Sequence, residues 1–331
     1  MMVGYDTRKL HNLNNDDLML GGAIAGGLTR LLCQPLDVIK VRLQLQVERP
    51  SRSQPDAKYH GTLQTCSKIV KEEGYRALYK GHVSAQLLSI SYGIASFASF
   101  EYFTKEVFVR KPHMKDLSPV TFICGGAANG LATVISYPFD TIRTRFIGQG
   151  KPPVYTGLFN CIGTILKVEG FRSLYRGFFA TLIQIIPHGG AQFAIYNKIS
   201  VIFKEKGIFV MSSLYTVKDR KKYLSPFGSF LAGAIAGAGA KVAIYPLDLA
   251  KKRLQIQGNY NEVREGFGKK FVCSGLVDCI KLTYRNEGFF ALYKGLKPTL
   301  LKAMIATSLH FAIYEQTLLF LSNSKIAKTE S

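Results

Sequence analysis

One eight-residue pattern occurs three times in this sequence and constrains every interpretation of it. The copies begin at Pro35, Pro138 and Pro246, and each has an acid two residues after the proline and bases five and seven residues after it. They lie 103 (138 − 35) and 108 (246 − 138) residues apart. A repeat of this length holds several secondary-structure elements, so the pattern predicts a threefold internal repeat. We call each copy a signature.

A second motif follows each signature and is also repeated three times. It consists of Glu-Gly, four residues, an aromatic residue, a base and a glycine, and its copies begin at Glu73, Glu169 and Glu287. The first glycine is typical of a helix C-cap. An aromatic residue beside a base is typical of a membrane interface. A short amphipathic stretch precedes each copy, which predicts a helix lying at that interface.

Two long apolar segments flank these motifs in each repeat, and each is long enough to cross a bilayer. They cover about 18–36, 82–104, 119–139, 178–200, 227–247 and 296–320. The fold class predicted is an all-α membrane protein with six transmembrane helices. Each repeat is read as a helix, a short amphipathic helix and a second helix. Glycines four residues apart in the odd-numbered segments favour close helix packing; the pairs are Gly22 and Gly26, Gly126 and Gly130, and Gly233 and Gly237.

The repeats set the predicted domain boundaries. These are an N-terminal tail at 1–17, repeat one at 18–110, repeat two at 115–205, a linker at 206–224, repeat three at 225–322 and a C-terminal tail at 323–331. Residues 1–17 contain three aspartates and no apolar core, so no cleavable presequence is predicted. The charged segments 46–58 and 258–271 are predicted loops.

The composition leaves two classes of protein open. The net charge of +21 suits nucleic-acid binding or a membrane protein that meets anionic lipid and an anionic solute. The mean hydropathy of +0.09 is modest for a protein that crosses a membrane several times. The six cysteines form no CxxC pair, which favours a packing role. No nucleophile–base–acid trio or metal-ligand cluster is apparent. The chain is therefore predicted not to be an enzyme and to need neither metal nor cofactor.

Because each of the two motifs occurs three times, the sequence closely resembles the mitochondrial carrier family. That resemblance implies a pseudo-threefold helical barrel in the inner mitochondrial membrane, working by alternating access. It further implies a functional monomer with both termini in the intermembrane space. Narrower stretches resemble animal carriers of thiamine pyrophosphate, among them Lys80-Gly81-His82-Val83 and the loop around Lys58-Tyr59-His60-Gly61. This narrower likeness implies import of thiamine pyrophosphate, with a nucleotide as the possible counter-substrate.

The charged residues of the signatures are predicted to form a gate on the matrix side. Charges at membrane depth are costly unless they pair or face water. By analogy with the family, the pairs are Asp37 with Arg143, Asp140 with Lys251, and Asp248 with Lys40. A glutamine nine residues after each proline braces each pair in the family. Gln44 and Gln255 match, whereas the middle copy has Ile147.

The gate on the opposite, cytoplasmic side is less complete. The family pattern there is an aromatic residue, an acid, two residues and a base. Its acid positions are occupied by Glu101, Asn197 and Glu315, and none of the three copies has a base at the expected position. Only two acids are therefore present, and the matrix gate is predicted to be the stronger one.

Positions where the repeats differ are the candidates for contacting an asymmetric solute. Five residues before the signature prolines stand Arg30, Thr133 and Lys241. Seven residues after the last glycine of each second motif, at the contact points that the family resemblance implies, stand Leu88, Gln184 and Lys302. Ile185 follows Gln184 at the second contact point, and His188 is a candidate on the remaining wall. The three bases among them would suit a pyrophosphate, which arginine can bind with two hydrogen bonds and lysine as a point charge. Four aromatic residues are candidates for stacking on rings, although packing between helices is the commoner role: Tyr92, Tyr137, Phe193 and Tyr245.

Glycines at helix N-termini complete the candidate sites. In the family these N-termini bind cardiolipin through backbone N–H groups. The glycines concerned are Gly61, Gly81, Gly157, Gly177, Gly275 and Gly295.

Three alternatives remain open from the sequence. One is a carrier of another anionic cofactor or nucleotide, and a second is a proton-leak carrier. From another class, a basic nucleic-acid-binding repeat protein would explain the charge but not six apolar segments. No nucleic-acid partner is therefore predicted.

Overall fold

The structure is a computed structural model, and it describes residues 14–48, 58–110, 118–149, 153–208, 210–212, 222–258 and 271–330. The predicted tail 1–17 and the loops 46–58 and 258–271 lie largely outside the described residues. Within the described ranges the regular secondary structure is helical, apart from two short strands. The predicted all-α fold class is confirmed.

Each repeat contains two long helices separated by a short helix and a 3₁₀ segment. In repeat one these are α1 (Asn15–Leu45), α2 (Thr62–Glu73), a 3₁₀ segment (Tyr75–Tyr79) and α3 (His82–Arg110). In repeat two they are α4 (Ser118–Gly148), α5 (Leu158–Val168), a 3₁₀ segment (Phe171–Tyr175) and α6 (Phe178–Glu205). In repeat three they are α7 (Pro226–Ile256), α8 (Leu276–Glu287), a 3₁₀ segment (Phe289–Tyr293) and α9 (Leu296–Glu330).

The first long helix of each repeat runs through the signature proline and ends ten residues beyond it. Each of α1, α4 and α7 has 31 residues. Proline removes one helical hydrogen bond, yet each of these helices continues through the signature that follows its proline. The signature acids and bases therefore lie on the last three turns of each helix.

Among the residues that the structure describes, four helical stretches are both long and apolar enough to cross a membrane: 75–110, 171–205, 227–256 and 289–322. Helix α1 has the same length as α7, but Arg30 and Gln34 interrupt its apolar run. A two-stranded antiparallel sheet lies in the predicted linker. Its strands, β1 (Val210–Ser212) and β2 (Lys222–Leu224), pair with Met211 opposite Tyr223.

The chain forms two compact units. The signature unit comprises Arg30–Leu182 and Leu249–Thr299, and the second unit comprises Met1–Thr29, Ile183–Asp248 and Leu300–Ser331. The core of the signature unit is built around the C-terminal ends of α1, α4 and α7, against α2 and α5. There, a Cβ added to Gly148 would lie 2.2 Å from Ile256 Cδ1 and 3.1 Å from Leu45 Cδ1. These three residues each stand ten positions after a signature proline, so equivalent helix ends meet at this point.

The predicted close packing at paired glycines is wrong for this structure. A Cβ added at Gly22, Gly26, Gly126, Gly130, Gly233 or Gly237 would meet no atom within 4 Å. Neighbouring glycines make the close contacts instead. In the second unit, a Cβ at Gly21 would lie 2.9 Å from Leu318, and one at Gly239 would lie 2.9 Å from Ile195. These close contacts lie on a different helix face from the one that the paired glycines predict.

Candidate functional site

The second base of each signature is a buried arginine that pairs with the glutamate of the second motif. Arg145 Nη1 and Nη2 donate to the two carboxylate oxygens of Glu169 at 2.6 and 2.8 Å. Arg42 forms the same forked pair with Glu73, and Arg253 forms it with Glu287. The two repeated motifs are thus parts of one buried network. A forked arginine–carboxylate pair fixes both the distance and the orientation of the two groups.

The same arginines connect each repeat to the next one. Arg42 Nε donates to the carbonyl of Ile147 at 3.2 Å, and Arg145 Nε donates to that of Gln255 at 3.3 Å. Arg253 Nε donates to the carbonyl of Gln44 at 3.1 Å. Carbonyls in the last turn of a helix have no partner within that helix. Each arginine therefore caps the C-terminal end of the first long helix of the following repeat, and the three contacts close a ring.

The base at the end of the second motif extends this ring. Lys80 Nζ donates to the carbonyl of Gln149 at 3.4 Å, and Arg176 donates to the carbonyl of Gln257. Lys294 Nζ donates to the carbonyl of Gln46 at 3.0 Å and pairs with Glu287. In each repeat, a base therefore binds a helix end of the next repeat in the same direction as the arginine.

A third repeated residue, which the sequence analysis missed, is a glutamine eleven residues after each proline. Gln46 accepts a hydrogen bond from the backbone N–H of Tyr59 at 2.7 Å and donates to the Tyr59 carbonyl at 2.9 Å. Gln149 binds Tyr155 in the same way, and so does Gln257 with Cys273, in the amide orientation that satisfies both groups. Each glutamine thus fixes the chain just before the short helix of its repeat. The threefold spacing was a signal that could have identified it.

Two of the three predicted gate pairs lie within the signature unit, and the structure brings both together. Arg143 forms an ion pair with Asp37, and Lys251 Nζ lies 2.8 Å from Asp140 Oδ2. Lys252, which the sequence analysis did not single out, adds a contact of 2.9 Å to Asp140 Oδ1. The third pair, Asp248 with Lys40, joins residues of different units and stays a prediction.

Gln255 forms hydrogen bonds with Asp140 of the second of these pairs and with Lys252. Its Nε2 donates to Asp140 Oδ2 at 2.9 Å, and its Oε1 accepts from Lys252 at 2.9 Å and from Thr144 at 2.8 Å. Gln44 and Ile147, the equivalent residues in the other repeats, are fully buried, and their carbonyls accept from the capping arginines.

The candidate substrate-binding residues are distributed over both units. In the signature unit, Arg30 donates to the carbonyl of Ala85, and Thr133 Oγ1 donates to that of Asn129 at 2.7 Å. Leu88 lies half-buried on α3 one turn beyond Ala85. In the second unit, Ile185 is exposed, and the other candidates are half-buried: Gln184, His188, Lys241 and Lys302.

Two of the four aromatic candidates for stacking are wrong. Tyr137 and Tyr245 are buried, with 1% and 0% of their surfaces exposed. The Tyr137 hydroxyl donates to the carbonyl of Arg176 at 2.9 Å, and the Lys251 ammonium lies 5.5 Å from the centre of its ring. Tyr137 therefore supports the Asp140 network. Tyr92 and Phe193 are exposed at 38% and 69%.

Among the candidates for the cytoplasmic gate, Glu101 forms an ion pair within its own helix. Glu101 Oε1 lies 2.6 Å from Lys105 Nζ, one turn later on the same helix, and both side chains are exposed. The family pattern places the base at position 104, which is a threonine, so it does not predict Lys105. Asn197 and Glu315 lie in the second unit, where Asn197 is exposed and Glu315 is half-buried.

Electrostatics hold Glu73 and Glu169 in the charged form. Burial alone would raise the pKa of Glu73, but the Arg42 hydrogen bonds and charge, together with Lys80, lower it to about 2. The pKa of Glu169 is also lowered, because hydrogen bonds from Arg145 and Ser173 outweigh its burial. These carboxylates therefore stay ionised throughout the neutral pH range.

Comparison with known proteins agrees with this threefold construction. The family model for mitochondrial carrier proteins matches residues 13–111, 115–207 and 222–325. The chain belongs to the mitochondrial carrier family. It is 42% identical over 317 residues to a mitochondrial thiamine pyrophosphate carrier of Bos taurus, covering 95% of this chain and 96% of that protein. A protein of that name from Homo sapiens is 41% identical, with 95% of each chain covered. A mitochondrial thiamine pyrophosphate carrier 1 of Aspergillus terreus is 36% identical, with 94% of this chain and 93% of that one covered.

As a mitochondrial carrier, the chain is a multi-pass transport protein of the inner mitochondrial membrane. The buried ring joins equivalent positions of the three repeats, as expected of a protein built from one unit used three times. The two motifs are therefore components of the shared carrier architecture. Differences between carriers have to be sought at positions where the repeats disagree.

The glycines predicted to bind lipid are at two kinds of helix start in this carrier. Gly61, Gly157 and Gly275 precede the short helices with extended backbones, whereas Gly81, Gly177 and Gly295 precede the long ones with positive φ. At Gly81 (φ 75°) an added Cβ would also lie 3.1 Å from the carbonyl oxygen of Arg143. Only glycine combines this backbone with so close an approach. Gly81 therefore has a structural role in joining repeats one and two, whatever it binds.

Proposed function

We propose that this carrier imports thiamine pyrophosphate into the mitochondrial matrix in exchange for a nucleotide. The observation that carries the proposal is the identity of 41–42%, over about 95% of both chains, to proteins named mitochondrial thiamine pyrophosphate carriers. The net charge of +21 suits a protein that handles anionic solutes beside anionic lipid. Both termini are proposed to lie in the intermembrane space; two crossings in each repeat would place them on the same side of the membrane.

Arg30, Lys241 and Lys302 are proposed to bind the pyrophosphate. The support is that each stands at a position where the three repeats differ, so the site can be asymmetric like its ligand. Arginine can donate two parallel hydrogen bonds to a phosphate, and lysine adds a mobile charge. Gln184, Ile185, His188, Leu88 and Thr133 are proposed to contact the remainder of the substrate.

The ion pairs Asp37–Arg143, Asp140–Lys251 and Asp248–Lys40 are proposed to form the matrix gate, with Glu101, Asn197 and Glu315 at the cytoplasmic side. Gln44 and Gln255 are proposed to brace the matrix pairs. In alternating access, a ligand speeds exchange when it binds the intermediate, occluded state better than either open state. Binding energy gained there would offset the cost of opening the matrix pairs. The protein is proposed to act as a monomer with cardiolipin at the glycine-led helix starts.

Uptake into proteoliposomes tests the function directly. Liposomes holding the purified carrier and loaded with a nucleotide should accumulate labelled thiamine pyrophosphate, whereas empty liposomes should not. Arg30→Ala and Lys302→Ala should reduce uptake by more than tenfold. The exposed residues Arg285 and Lys281 provide matched control substitutions to alanine. Uptake of a different anionic cofactor or nucleotide, with thiamine pyrophosphate inactive, would favour the second candidate function, a carrier of that other anion.

A further inference from the structure

A polar cluster on α3 and α4 has no role in the gate or the buried ring. Tyr92 donates from its hydroxyl to Asn129 Oδ1 at 3.1 Å, and Ser96 Oγ donates to the same oxygen at 2.9 Å. A carboxamide oxygen has two lone pairs, and both are occupied here. Within the described ranges, no acceptor receives a hydrogen bond from Asn129 Nδ2. The two hydroxyls therefore orient the amide so that its N–H donors are available to a ligand.

Helix geometry places this cluster on the faces that carry the other candidate residues. Asn129 precedes Thr133 by four residues and the gate acid Asp140 by eleven, which is three turns and about 20° around the helix axis. On α3, Leu88, Tyr92 and Ser96 are spaced by four and share a face. A carboxamide facing lipid would be costly, so an exposed Asn129 is best accommodated on a face that meets water.

The distance from this cluster to the nearest base matches an elongated ligand. Arg30 Nη1 donates to the carbonyl of Ala85, and Tyr92 lies seven residues later on the same helix. Seven residues correspond to about 10 Å along the axis. An anionic end at Arg30 and a planar, neutral end at Asn129 would thus be separated by roughly the span of a heterocycle linked to a pyrophosphate.

We propose that Asn129, oriented by Tyr92 and Ser96, is a specificity-determining residue that donates hydrogen bonds to a ring nitrogen of the substrate's aminopyrimidine. This inference rests on the proposed function and names the part of the ligand that Asn129 recognises. A neutral amide beside a phenol ring suits a neutral heterocycle, whereas the phosphate is better served by the bases. Tyr92 and Ser96 are positioning residues, because they act through the Asn129 oxygen.

Exchange kinetics of the full-length carrier in proteoliposomes test the proposal. Asn129→Asp keeps the accepting oxygen but replaces the donors with a second acceptor. It should raise the KM for thiamine pyrophosphate at least tenfold, and Asn129→Ala should raise it several-fold, with kcat changed less. Tyr92→Phe and Ser96→Ala should have smaller effects in the same direction. Ser91→Ala is the matched control, since the Ser91 hydroxyl binds the carbonyl of Leu87 in its own helix at 2.7 Å.

Substrate analogues locate the contact. In two analogues of thiamine pyrophosphate, one or the other pyrimidine ring nitrogen is replaced by C–H. The wild-type carrier should bind one of them at least tenfold more weakly, and Asn129→Ala should discriminate against that analogue no more than about twofold. Thermal unfolding in detergent shows whether each variant is folded.

Two results would overturn the inference while leaving the function intact. One is an unchanged KM for thiamine pyrophosphate in Asn129→Asp. The other is that Asn129→Ala loses affinity for the natural substrate and for both analogues by the same factor. Failure of the wild-type protein to accumulate thiamine pyrophosphate would instead refute the proposed function.

Discussion

Arg253 Nε donates a hydrogen bond to the main-chain carbonyl of Gln44 at 3.1 Å, although 209 residues separate them in the sequence. This contact joins repeat three to repeat one and completes the ring that Arg42 and Arg145 form between the other repeats. Because Arg253 also binds Glu287, one side chain connects the short helix of its own repeat to the helix end of the next. The ring is a buried structural feature, distinct from the partly exposed Arg143–Asp37 pair.

Replacing Arg253 should therefore destabilise the fold severely. Arg253→Ala leaves the buried Glu287 without its forked partner, and breaking such a pair typically costs about 3–5 kcal/mol. Arg253→Lys keeps the charge but cannot donate to both Glu287 and Gln44, so it should also lose stability. Thermal unfolding in detergent measures both effects. The exposed Arg285→Ala is the control. An Arg253→Lys variant as stable as wild type would show that the fork is dispensable.

Glu73 should make the free energy of unfolding depend on pH at acidic values. Its pKa is about 2 in the folded protein and 4.5 without its partners, so the unfolded chain binds more protons between these values. The contribution is present above about pH 4.5 and is lost as the pH falls toward 2. Glu73→Gln should lower stability at neutral pH and flatten the dependence between pH 5 and the lowest pH at which unfolding can be measured. Glu72→Gln, at an exposed neighbouring residue, is the control variant. Identical curves for both variants would contradict the prediction.

Gly148 should tolerate no larger residue. A Cβ there would lie 2.2 Å from Ile256 Cδ1, and Ile256 is itself buried at 3% exposure. Overpacking of this kind costs about 1–3 kcal/mol, so Gly148→Ala should lower the thermal midpoint. Ile256→Val should restore part of the loss in the double variant. Gly163→Ala on α5, where an added Cβ meets nothing within 4 Å, is the control. A neutral Gly148→Ala would mean that the helix ends separate easily.

The two gate pairs of the signature unit should respond differently to loss of their bases. Asp140 has two lysine partners, so Lys251→Ala leaves the Lys252 contact at 2.9 Å. We expect Lys251→Ala to slow exchange by a few-fold and Arg143→Ala to slow it by more than tenfold. The double variant Lys251→Ala/Lys252→Ala should resemble Arg143→Ala. If the single and double lysine variants were equally impaired, Lys252 would have no role in the gate.

The sequence could predict much of the fold because its signals are local and repeated. Helix type and order followed from apolar segments, from the charged signatures and from the Glu-Gly motif. The predictions from sequence failed where a contact depends on which face of a helix points toward its neighbour. The paired glycines at 22 and 26 were expected to contact a neighbouring helix, yet Gly21 makes that contact with Leu318. A rotation of about 100° between adjacent residues separates the two outcomes.

By itself, the sequence determined the threefold repeat, the helix order and the identity of the charged residues, since these follow from spacing along the chain. Only the tertiary structure decided their partners. It assigned the second signature base to Glu73, Glu169 and Glu287, gave Asp140 a second lysine, and buried Tyr137 against that network. The physical reason is that contacts in this network join residues up to 248 positions apart. They depend on the rotation and depth of whole helices, and no local pattern encodes either of these.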